Sequence, residues 1–196
     1  MSRVNESSWT GWPYLVLLLI CFLFGALIGF ALAYFGEQSD DLGVYLQDYL
    51  SFAARGDLEL SFLSVFWDCI RWPVFVIAFG FTALGVLVIP AVLLVRGFLL
   101  SYAATCFAVL LGRNGLAAAA VLLAAAVFLV LPVLLILGCE GLRASCARLP
   151  GALNGGERRL RPEIVLPGAG LSVVAAALQW TVVPLVFSAV CARLFI

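Results

Sequence analysis

Apolar residues run without a charge from Pro13 to Phe35. At 1.5 Å of rise per residue, such a run spans a hydrocarbon layer of about 30 Å, so it predicts a membrane-crossing helix. Arg3 precedes it, as in a signal peptide, but the apolar core is too long and lacks a small-x-small exit. The stretch reads as a retained anchor. Within it, Gly25 and Gly29 form a GxxxG pair, which lets a second backbone approach closely.

From residue 36 to residue 71 the pattern changes. Seven acids fall here: Glu37, Asp40, Asp41, Asp48, Asp57, Glu59 and Asp68. Between them Leu42, Tyr45, Leu46, Tyr49, Leu50 and Ala53 recur at steps of three and four, which predicts an amphipathic helix ending at Gly56. Past Asp57, Leu63, Phe66, Trp67 and Ile70 share one face of a second short helix. The pair predicts a helical hairpin lying on the membrane surface or folded as a lid over the protein's own helices.

Trp72 to Leu111 is apolar over twice the length of one crossing, with Arg96 as its one charge. A guanidinium at mid-bilayer costs at least about 2.5 kcal/mol, whereas at a helix end it reaches the headgroups. Glycine beside it supplies freedom for a tight reversal. Arg96-Gly97 is therefore the predicted hairpin tip, with Arg96 contacting headgroups, and it separates spans at 72–95 and 97–111. Gly112-Arg113-Asn114-Gly115 predicts a polar turn, 116–139 an alanine-rich span kinked at Pro132, 140–170 an arginine-rich loop, and 171–190 a final span. The small residues Gly80, Gly85, Gly97 and Ser101 join Gly25 and Gly29 as predicted helix-packing or dimerisation positions.

With the N-terminus inside, Arg3, Arg96 and the five loop arginines face the cytoplasm, and the acidic hairpin faces out. The expected architecture is all-α: a single polytopic domain with five transmembrane helices plus an extracytoplasmic amphipathic helical hairpin at 36–71.

Composition narrows the chemistry. The 196 residues are 65% hydrophobic and 11% charged, which places the chain in the membrane class. Eleven basic residues balance eleven acids, so nucleic acid is not an expected partner. There is no histidine, which closes any chemistry needing a histidine base or ligand. The six cysteines form no CxxC and mostly lie in apolar runs, where they read as small buried hydrophobes. Cys69 and Cys191 both fall near the expected outer face, where a disulfide between them can form. The hairpin acids sit on polar helix faces without the spacing of a catalytic pair or a calcium loop. No catalysis, metal or cofactor is expected.

The arrangement of Arg71, Gly80, Gly85 and Arg96-Gly97, followed by an apolar span, a turn and Leu131-Pro132, resembles the stage II sporulation protein M family. The likeness runs from the first span through Glu140-Gly141-Leu142-Arg143. Ser101 stands where the family usually repeats a glycine, and Ala125-Ala126-Val127 where members commonly carry proline and polar residues. The resemblance implies a bacterial cytoplasmic membrane protein without wall chemistry of its own. In that role it acts with sporulation proteins D and P, placing peptidoglycan hydrolases at the septal and engulfing membrane during endospore formation. On the residues themselves, Tyr45, Asp48, Tyr49, Asp57, Glu59, Phe66 and Trp67 are the candidate docking face, with lipid and a second copy as further expected partners. A small transporter or channel is the alternative. It calls for charged or strongly polar groups along a central path, where this reading finds only Thr82, Ser101, Thr105, Gln179, Thr181 and Ser188.

Overall fold

The computed structural model describes residues 12–36, 44, 48, 62–154, 167–174, 176–181 and 189. Among them all regular structure is helical: α1 (Trp12–Phe35), α2 (Phe62–Gly80), α3 (Gly85–Ala125), a π-helical turn (Ala126–Val130) and α4 (Leu131–Asn154). Residues 167–174 and 176–181 are also helical.

Helix α1 is apolar on every side. Phe24, Leu27 and Leu32 stay 56%, 65% and 55% exposed, and burial falls on Leu18, Gly25, Gly29 and Ala33. A helix that is greasy all round, yet uncovered, has lipid as its solvent. Two helical stretches, Trp12–Phe35 and Gly85–Val121, are long and apolar enough to cross a membrane.

The reversal expected at Arg96-Gly97 is not there. Both residues lie inside continuous helix, and the one non-helical backbone conformation within α3 is at Gly112 (φ 63°, ψ −140°). The chain turns instead at 81–84, between α2 and α3. There Phe81 N donates to Ala78 O (3.3 Å), Thr82 N to Phe79 O (3.0 Å) and Gly85 N to Thr82 O (3.2 Å). The Thr82 hydroxyl adds a bond to the Phe79 carbonyl at 2.9 Å. This turn carries no charge of its own because α4 supplies the polarity. Arg148 donates to the Gly80 carbonyl and lies 6.0 Å from the centre of the Phe81 ring, and Ser145 Oγ approaches Phe79 O at 3.5 Å. Carbonyls orphaned at a helix end are thus satisfied from 66 and 68 residues away.

Two further boundaries move. Helix α2 runs unbroken through Arg71-Trp72, so the expected border between surface hairpin and span falls within one helix, with Pro73 inside it. The arginine-rich stretch after residue 139 begins as helix, since α4 continues to Asn154. A rise in charge marks where a helix leaves an apolar layer, not where its hydrogen bonding stops. Glu140 and Arg143, one turn apart on α4, pair at 3.9 Å. Just ahead of Pro132, where the sequence predicts a kink, Ala126–Val130 form a π-helical turn, a common way for a helix to absorb an extra residue.

The core gathers Leu18 of α1, Val76 of α2, Ile89 and Leu93 of α3, and Val133, Leu134, Leu137 and Leu142 of α4, with Ala176 from the C-terminal helical residues. Gly138 and Gly141 allow this meeting. A methyl group at Gly138 would stand 3.1 Å from Leu18 Cδ1, and one at Gly141 2.9 Å from Ile89 Cδ1.

Candidate functional site

Helices α1 and α3 touch backbone to backbone. A methyl group at Gly25 would fall on the Leu94 carbonyl, one at Gly29 on the Phe98 carbonyl, and one at Gly97 on the Phe22 carbonyl. Residue numbers rise together along this seam, so the two helices run parallel. In lipid no hydrophobic force drives helices together, so close van der Waals contact between small residues has to do it. Gly80 and Gly85 flank the 81–84 turn. The Gly80 carbonyl receives Arg148, and Gly85 packs against Ser145 Oγ and the Phe79 carbonyl. These glycines are therefore engaged in helix packing within the chain.

Beside the seam lies a laterally open apolar groove of about 380 Å³, with Phe22, Gly97, Ser101, Leu116, Ala120 and Phe128 among its walls. Ser101 also lends its carbonyl to the Thr105 hydroxyl at 2.8 Å.

Depth can be read from the seam. The midpoint of α1 falls between Leu23 and Phe24. Gly97 packs against Phe22 O, and a methyl there would stand 3.2 Å from Ala26 N, so Arg96 springs from the level of that midpoint. Its guanidinium lies 5.6 Å from the centre of the Trp72 ring on α2, and the Arg71 guanidinium lies 5.2 Å from the same centre. Cations at these distances are attracted to the ring's negative face, by about 0.5–2 kcal/mol depending on solvation. All three side chains are half-buried. The Trp72 Nε1 hydrogen is buried with no acceptor among the described residues. Sequence reasoning placed Arg96 at a surface and singled out neither Arg71 nor Trp72 as part of a site. Once the turn is placed at 81–84, Trp72 lies nine residues before it and Arg96 twelve after it, within about one helical turn of each other in an antiparallel pair.

The candidate docking face is only partly in view. Asp48 is helical and exposed, Trp67 is 65% exposed, and Phe66 lies on α2. Tyr45, Tyr49, Asp57 and Glu59 lie outside the described residues, as does Cys191, the expected partner of Cys69. No cluster of metal-ligating side chains occurs among the described residues.

Among the described residues the chain is all-helical, and two of its helices, joined by a glycine seam, are long and apolar enough to cross a membrane, which points to a membrane protein. The sequence profile of stage II sporulation protein M matches residues 18–192, and the chain belongs to that family. No curated protein and no solved structure matches it at a significant level.

Proposed function

We propose that this protein is a non-catalytic scaffold of the bacterial cytoplasmic membrane that recruits and positions peptidoglycan-remodelling hydrolases, as sporulation protein M does with proteins D and P at the septal and engulfing membrane. The observation that carries the reading is family membership across nearly the whole chain. In this reading the chain crosses five times, from a cytoplasmic N-terminus to an extracytoplasmic C-terminus. Moving the reversal from Arg96-Gly97 to residues 81–84 alters neither the number nor the sense of the crossings. The residues between α1 and α2 and the first turns of α2 then face outward, with Asp48 and Trp67 exposed to receive a partner.

Reversing charge at Asp48, Asp57 and Glu59 together should reduce co-purification of the two hydrolase partners about tenfold or more, since rim charges steer and register such contacts. The variant should stay in the membrane at wild-type abundance. Undiminished recovery of both partners would remove the hairpin as their dock.

Passage of a solute is the second reading, favoured by one observation: two guanidinium groups gather at the depth of the α1 midpoint, where the sequence had suggested no charge. Charges at such depth commonly mark transport paths. Flux into proteoliposomes separates the readings, because a scaffold produces none.

A further inference from the structure

We infer that Arg71, Trp72 and Arg96 form an oxyanion-binding site inside the membrane region, taking a phosphate group either from a soluble ion or from an anionic lipid headgroup. The three side chains are donors only. Each guanidinium offers five N–H groups in a plane and the indole offers one, and none of them can accept a hydrogen bond. Both arginines make further interactions within the chain. A planar five-donor fork can keep a structural partner on one edge and present another, so the inference does not need either arginine to be idle. An anion held by both guanidinium groups is attracted to two positive charges at once. The buried Trp72 Nε1 hydrogen is a third, neutral donor on the ring that both guanidinium groups approach. A ligand that is negative and rich in acceptors fits this set, and phosphate matches the guanidinium fork in geometry as well as charge. The site does not depend on whether the protein scaffolds or transports.

The test uses the full-length protein in nanodiscs of phosphatidylcholine, titrated with sodium phosphate against sodium chloride at equal ionic strength and followed by thermal unfolding. The expected result is a saturable rise in the unfolding midpoint with phosphate that chloride does not produce. Arg71→Gln and Arg96→Gln should each weaken the apparent affinity about tenfold or more, the scale of a lost charge-assisted bond. Arg96→Lys, which keeps the charge should the glutamine variant fold poorly, should retain saturable binding with reduced affinity. Trp72→Phe keeps the ring, loses the N–H, and should fall between. Discs containing phosphatidylglycerol assign the source. If they stabilise the protein without phosphate and abolish the phosphate response, the ligand is a lipid headgroup; if the phosphate response persists unchanged, it is the soluble ion. The inference is overturned if the wild type responds to neither phosphate nor phosphatidylglycerol, or if both glutamine variants respond as the wild type does.

Discussion

Gly25→Leu will force α1 away from α3 and abolish the native fold. The position faces the Leu94 carbonyl so closely that even a methyl group collides with backbone, which cannot swing aside as a side chain would. Overpacking a tight site typically costs about 1–3 kcal/mol, and Gly25→Ala should lie at the upper end of that range because a whole helix has to shift. Gly97→Ala, against the Phe22 carbonyl, should behave similarly. The double alanine variant should be less destabilised than the sum of the two, since one displacement of α1 relieves both collisions. Gly170 is the internal control. It lies in helix with nothing within 4 Å of the place a methyl group would take, so Gly170→Ala should be neutral or stabilising by up to about 1 kcal/mol. Unfolding in a detergent series measures all of these variants.

The second large effect is expected at Gly112, for the opposite reason. No atom lies within 4 Å of where its Cβ would be, so bulk is no obstacle. The obstacle is the backbone, since φ of 63° with ψ of −140° is open to glycine and strained for other residues. Gly112→Ala should therefore lose about 1–3 kcal/mol with no change in packing. Equal stability of Gly112→Ala and wild type would mean that the chain does not break here as described.

The contrast between these glycines also shows what the sequence made legible. Helix α1 was readable almost to the residue, because uniform greasiness over a bilayer's thickness fits a membrane span and little else. Gly112 was readable because it opens a polar cluster, and polar residues at a reversal announce themselves. That Gly25 and Gly29 meet a helix was readable from their spacing, but the identity of that helix was not. The seam joins residues about seventy positions apart, and no local pattern encodes a pairing between two small faces.

The turn at 81–84 was hidden for a more instructive reason. Exposed carbonyls at a reversal need partners, so charges are its usual sequence mark, and Phe81, Thr82, Ala83 and Leu84 offer only one hydroxyl. The missing polarity arrives from Arg148 and Ser145 on α4, so the turn can be apolar in sequence and satisfied in three dimensions. Once the turn moves there, Arg96 passes from a presumed surface to the level of the α1 midpoint, beside Trp72 and near Arg71. That single displacement removes the hairpin-tip role and exposes the candidate site.

Cysteine accessibility in intact membranes tests this placement most directly. In a cysteine-free background, Leu84→Cys should react with a membrane-impermeant maleimide applied to one side, Arg113→Cys only with reagent applied to the other, and Leu99→Cys with neither. Labelling of Leu99→Cys with Leu84→Cys protected would return the reversal to the neighbourhood of Arg96-Gly97 and contradict the account.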